Sequence, residues 1–149
     1  LFAAACEGAV MLSGESDAVL ARMHSVGLNL GIAFQLIDDV LDYEGDPETT
    51  GKNVGDDLNE GKPTLPLIHA MSHASSEDAA LIADSIRQKS VENLNTIVAL
   101  AKTTGGIQET RRAAVEHCGR VSTALADLPA TAARASLEKL AEFSIARES

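Results

Sequence analysis

A chain of 149 residues, 45% of them hydrophobic, fits one domain with a real core, and its net charge of −10 argues against nucleic acid as a partner, since a phosphate backbone wants clustered Lys and Arg. Aromatics are only 3%, so the core has to be built from Ala, Leu, Ile and Val, a composition suited to close-packed helices. No apolar run approaches the roughly 20 residues of a transmembrane segment, no basic start leads into an apolar signal segment, and Cys6 and Cys118 have neither metal-ligand spacing nor a disulfide framework. A reduced, cytoplasmic protein is expected.

In chain order, Leu1–Ser13 is Ala-rich and reads as a helix stopped by Gly14. Ser16 is the expected N-cap of the next helix, with Asp17 in its first turn, where the macrodipole favours negative charge. Val19, Met23, Val26, Leu30, Phe34, Ile37 and Leu41 then recur at steps of three and four, which predicts a buried face on a helix reaching about Tyr43. Gly27 and Gly31 each cost such a helix up to about 1 kcal/mol relative to Ala, so they mark a place where another helix or a ligand comes close. Residues 45–63, punctuated by Gly45, Pro47, Gly51, Gly55, Gly61 and Pro63, read as one long functional loop.

Helices resume with Pro66 in a first turn and Leu65, Ile68 and Met71 expected to pack. Ser75 or Ser76, followed by Glu77 and Asp78, starts a helix to about Lys89. Ser90 is the expected cap of a helix carrying Leu94, Ile97, Val98 and Ala101, closed by Gly105-Gly106. Ile107–Leu128 follows, with Ala114, Cys118, Val121 and Leu125 inward, and Leu128-Pro129 breaks it. Ala132–Arg147 is the last helix, led by Leu137, Leu140 and Phe143. The expected fold class is all-α, in a single partial domain covering residues 1–149.

The informative segment runs from Gly31 to Asp42. At about 100° per residue, Asp38 and Asp42 lie one turn apart on one face, Gln35 lies one turn earlier, and Asp39 falls to the flank. Three carboxylates so close repel one another, Asp is a poor helix former, and a helix C-terminus favours cations. Three local rules are broken together, which is expected where function outweighs stability. A divalent cation would hold such a cluster, and oxygen-only ligands favour Mg²⁺ over Zn²⁺. The alternative is a solvated acidic patch at a helix end. An EF-hand does not match the ligand order of residues 42–53. Downstream, Lys52 follows Gly51 and Lys62 follows Gly61. Glycines let backbone approach an anion and lysine supplies a point charge, so these fit a metal–diphosphate complex. His69 and His73, four apart, read as surface or capping residues, and Arg111-Arg112 as a solvated face.

The pattern Gly31-x-x-Phe34-Gln35-x-x-Asp38-Asp39-x-x-Asp42, followed by Gly51-Lys52, Gly55-Asp56-Asp57 and Gly61-Lys62-Pro63-Thr64-Leu65-Pro66, resembles the second aspartate-rich region of the trans-polyprenyl diphosphate synthases. The stretch from Gly51 to Ala70 is most similar to the bacterial octaprenyl diphosphate synthases. That resemblance implies an all-α, isoprenoid-synthase-type bundle, usually homodimeric, in which Mg²⁺ ties an allylic prenyl diphosphate to two aspartate clusters. Ionisation of that substrate is followed by attack of the isopentenyl diphosphate double bond and loss of a proton. It implies Asp38 as the main second-cluster ligand of Mg²⁺, with Asp39 and Asp42 supporting it directly or through water. It places Gln35 on the allylic site and Phe34 on the isopentenyl side. Lys52 and Lys62 would neutralise diphosphate oxygens as the leaving group departs.

Asp38–Asp42 is the only Asp-Asp-x-x-Asp in the chain. In the family the first cluster, the isopentenyl-binding basic residues and the product-length region lie upstream of the equivalent of Leu1. The expectation is therefore about half a family member, without prenyl-transfer activity alone. The chain does not begin with Met, which favours a fragment over the competing reading, a non-catalytic small subunit of a heteromeric prenyltransferase.

Overall fold

Helices form where the apolar spacing and the caps place them. The computed structural model describes residues 1–44 and 54–147, and among them there are eight helices and no strand: α1 (Phe2–Ser13), α2 (Asp17–Glu44), α3 (Asp56–Glu60), α4 (Leu65–His73), α5 (Ser76–Gln88), α6 (Leu94–Thr103), α7 (Gly106–Ala126) and α8 (Ala132–Ala146). The all-α expectation holds. Several termini follow from single residues. Gly14 ends α1 at φ 71°, and Lys89 closes α5 in the same left-handed region at φ 54°. Ser75 Oγ accepts from the Asp78 N–H at 3.1 Å, and Thr131 Oγ1 from the Arg134 N–H at 3.2 Å, each satisfying one otherwise orphaned donor.

These residues group into two compact units, one of Leu1–Gln35 with Ala113–Arg147, the other of Leu36–Arg112. In the first, Val26 and Leu30 of α2 meet Cys118, Val121 and Leu125 of α7 and Ala141 of α8. The close approach expected at Gly27 and Gly31 is made by α1. A Cβ on Gly27 would lie 2.6 Å from the Phe2 carbonyl oxygen, and one on Gly31 would press on the Phe2 ring at 3.2 Å. In the second, Val40 and Tyr43 of α2 join Leu58, Leu67, Ala70, Ile82, Ile97, Ala101 and Ile107. There α4 packs on α5 and α6, and α3 packs on α5.

Four expectations change. Part of the expected loop is helix: α3 forms over Asp56–Glu60, because Gly55 and Gly61 both take positive φ and bracket one turn. The inward face of α4 is Pro66, Leu67 and Ala70, leaving Ile68 46% exposed. Similarly, α8 buries Ala141 and Ser144, while Leu140 and Phe143 face outward. Small residues let this helix approach its neighbours, and the Ser144 hydroxyl is satisfied by donating to the Leu140 carbonyl at 2.8 Å. Finally, α6 starts at Leu94 after Asn93, and Ser90 Oγ accepts from the Glu92 N–H outside the helix.

Candidate functional site

The C-terminal turns of α2 carry the aspartates, and they are less exposed than a solvated acidic patch would be. Asp38 is half-buried, Asp39 is 9% exposed and Asp42 6%, with Tyr43 fully buried beside them. Asp39, expected on the flank, is thus buried more deeply than Asp38. The reason lies in the rotation of the helix, whose deepest residues at this end are Ala33, Ile37, Val40 and Tyr43. That stripe differs by one residue from the one ending Phe34, Ile37, Leu41.

Asp42 grips the turn that follows the carboxylate helix. Its carbonyl oxygen accepts from the Gly55 N–H at 3.0 Å, and both its carboxylate oxygens lie 3.3 Å from the Asp57 N–H. Asp42 therefore supplies the acceptor that a side-chain cap would give the first turn of α3, which has none of its own. Gly55 is required twice over: its φ is +87°, and a Cβ would fall 2.5 Å from Leu94 Cδ1. Burial pushes the Asp42 carboxyl up to about 6, with the negative charges of Asp57 and then Asp56 adding to it and the Asp57 N–H opposing it.

At its other end α3 closes on Gly61, with the Gly61 N–H bonded to the Leu58 carbonyl and the Lys62 N–H to the Asp57 carbonyl at 2.9 Å, a Schellman arrangement. This turn presents Lys62. Its ammonium donates to Asp57 Oδ1 at 2.8 Å and lies 2.6 Å from Glu60 Oε2, while more than half of the side chain remains exposed. Those two carboxylates hold the Lys62 proton above its ordinary range. Asp42, Asp57 and Lys62 are thus brought together. Lys52 lies outside the described residues.

Phe34 and Gln35 sit earlier on α2, within the first unit. The Phe34 ring meets the Phe2 ring at 5.6 Å, and the Arg147 guanidinium lies 4.0 Å above it while Arg147 Nη2 donates to the Phe34 carbonyl at 3.3 Å. Gln35 is exposed at the edge of a groove of about 410 Å³ lined by Phe2, Gly27, Leu28, Gly31 and Phe34. Nothing in the sequence spacing singled out Arg147, which reaches Phe34 only because α8 folds back onto α2.

Two other readings resolve locally. Arg111 is no solvated bystander, since its Nη2 donates to Glu44 Oε2 at 2.9 Å and ties α7 to the end of α2. His69 and His73 stack at 4.0 Å between ring centroids, with His73 Nδ1 2.9 Å from the His69 carbonyl, consistent with a capping role.

Among the described residues, no three His, Cys, Asp or Glu side chains converge into a ready-made metal cage. Mg²⁺ does not ask for one, because it takes one or two carboxylates and fills its sphere with water and substrate phosphate. The donors here are all carboxylate oxygens, and a cation would offset the Asp57 and Asp56 charges that add to the burial of Asp42. The residues fit the ion.

Among the described residues the chain is all-helical, and its long helix α2 ends in carboxylates that meet the turn leading to Gly61-Lys62. The description of the Polyprenyl synthetase family matches residues 1–101, and the chain belongs to that family. It is 42% identical over 149 residues to the octaprenyl diphosphate synthase of Escherichia coli (strain K12), covering 99% of this chain and 46% of that protein. It is 40% identical over 147 residues to the all-trans-nonaprenyl-diphosphate synthase (geranyl-diphosphate specific) of Rhodobacter capsulatus, with 99% and 45% covered. Among solved structures, the polyprenyl synthase from Caulobacter crescentus CB15, complexed with calcium and isoprenyl diphosphate, superposes with a TM-score of 0.89 at 37% identity, covering 99% of this chain and 46% of that one. The chain spans about half the length of the curated relatives it matches.

Proposed function

We propose that these 149 residues are part of a single polyprenyl synthetase domain and carry the second aspartate-rich, Mg²⁺–diphosphate half-site of a cytoplasmic, homodimeric trans-prenyltransferase. Its reaction condenses isopentenyl diphosphate with an allylic prenyl diphosphate, and similarity to the octaprenyl synthases favours a long-chain product. The observation that carries this reading is the seating of buried Asp42 on the turn that presents Lys62. Three aspartates on the last two turns of one helix, two of them buried, are costly to keep unless a cation offsets their charge.

Asp38, Asp39 and Asp42 would hold Mg²⁺, whose positive charge supplies Lewis-acid stabilisation of a departing diphosphate. The chain's own residues do the rest. Lys62 exchanges Asp57 and Glu60 for diphosphate oxygens, a short movement for an exposed ammonium. Lys52 is assigned the same task. By resemblance Phe34, whose ring contacts Phe2 and Arg147, is assigned to the isopentenyl side and Gln35 to the allylic side. With one Asp-Asp-x-x-Asp among them, these residues alone are expected to bind but not to turn over.

Calorimetry of inorganic pyrophosphate binding, with and without Mg²⁺, tests the half-site. Binding should require Mg²⁺ and weaken at least about tenfold in Asp38→Asn. Equal affinity without Mg²⁺, or in Asp38→Asn, would overturn it. Product formation from isopentenyl and allylic diphosphates by the pure 149-residue chain would overturn the assignment as half of a catalytic site.

A further inference from the structure

Tyr43 is the largest fully buried side chain among the described residues, and its hydroxyl shares a 3.1 Å hydrogen bond with Thr64 Oγ1. Burying a hydroxyl pair costs free energy unless each satisfies the other, and Phe would pack the same core without that demand. Thr64 is the N-cap residue of α4, where a Thr hydroxyl ordinarily accepts from the N–H of the second or third helical residue. Here it does not. The second helical residue is Pro66, which has no N–H, and the Leu67 N–H goes to the Thr64 carbonyl oxygen at 3.1 Å. The start of α4 is thus built without the Thr64 hydroxyl, which is left to Tyr43.

The bond closes a ring. Tyr43 is joined through the chain to Asp42; the Asp42 carboxylate accepts from the Asp57 N–H at 3.3 Å; the Asp57 carbonyl accepts from the Lys62 N–H at 2.9 Å; the Lys62 carbonyl accepts from the Thr64 N–H at 3.1 Å; and Thr64 returns to Tyr43. Every member belongs to the Leu36–Arg112 unit. We infer that Tyr43 and Thr64 are positioning residues for diphosphate recognition: their buried hydroxyl pair locks the backbone of Lys62 at a set distance from the carboxylate end of α2. This inference rests on the proposed Mg²⁺–diphosphate half-site and adds what holds that site in register. The Lys62 ammonium is exposed and exchanges partners, whereas its backbone is fixed on both sides, by α3 through Asp57 and by the strut through Thr64. Preorganised backbone of this kind keeps the lysine from losing its alignment each time it leaves Asp57.

The test uses the 149-residue chain, inorganic pyrophosphate with Mg²⁺, and Tyr43→Phe, Thr64→Val and Thr64→Ser. Affinity by calorimetry and the thermal midpoint are both measured, with binding read well below every midpoint. Tyr43→Phe and Thr64→Val should each weaken Mg²⁺-dependent pyrophosphate binding by about tenfold, as removal of supporting partners of a metal site does. Thr64→Ser, which keeps the hydroxyl, should bind as the unmodified chain does. Lowered midpoints with unchanged affinity in Tyr43→Phe and Thr64→Val mean a merely structural bond and overturn the inference. If Tyr43→Phe does not fold, the contrast between Thr64→Val and Thr64→Ser decides. Absence of Mg²⁺-dependent binding by the unmodified chain overturns the half-site and this inference together. Binding that is lost in Asp38→Asn yet unchanged in both hydroxyl deletions overturns this inference only.

Discussion

Replacing Asp42 by Asn should stabilise the metal-free protein at neutral pH. An unfolded aspartate titrates near 3.8, and in the fold Asp42 is pushed up to about 6. Between those values the folded chain holds a proton that the unfolded chain has released. Stability from this group is therefore fully present below the unfolded value and is lost as pH rises through about 6. A difference of about two units corresponds to about 3 kcal/mol. Asn keeps an oxygen for the Asp57 N–H and resembles the protonated acid, so it escapes that loss. Denaturant unfolding of both proteins in chelator, from pH 4 to pH 7.5, is the assay. Asp42→Asn should match the unmodified chain near pH 4 and exceed it by a margin growing toward about 3 kcal/mol by pH 7.5. Saturating Mg²⁺ at pH 7.5 should narrow the gap, because only the carboxylate gains from the cation. A gap that does not change with pH would refute the reasoning, for then neither burial nor the Asp57 and Asp56 charges burden the Asp42 carboxylate.

Gly27→Ala should cost about 1–3 kcal/mol by denaturant unfolding, since its Cβ would meet the backbone of Phe2 and α1 would have to shift. Leu125→Ala should cost about 2–5 kcal/mol, while Phe143→Ser should stay within about 0.5 kcal/mol, because Leu125 is fully buried and Phe143 is 65% exposed. Arg111→Gln should cost no more than about 1 kcal/mol, and the cost should shrink in high salt, because the Arg111–Glu44 pair is partly exposed.

The helical class, the Gly14 stop, the Ser75 cap and the inward face of α7 were legible in the chain because each depends on residues within a turn or two. Ala114, Cys118, Val121 and Leu125 repeat at helical spacing and are all buried. Ser75 is followed three residues later by the amide it caps. The candidate site residues were legible for the same reason: Gln35, Asp38 and Asp42 sit one turn apart on one helix, and Gly61-Lys62 is contiguous. Faces were less secure where apolar residues surround a helix. On α8, Leu140 and Phe143 are the larger side chains, yet Ala141 and Ser144 are inside. Periodicity offers two neighbouring stripes there, and only the partner helix chooses between them.

By itself, then, the sequence determined which groups lie close along the chain: oxygen-only carboxylates at the end of a long helix and lysines behind glycines, all set by short-range spacing. Tertiary structure alone decided how those groups are poised. Asp42 reaches Asp57, Tyr43 reaches Thr64, and Arg147 reaches Phe34 across 15, 21 and 113 residues of chain. No local pattern encodes such pairings, because each depends on where the packing of whole helices leaves a buried polar group, and such a group must find its partner wherever the chain returns.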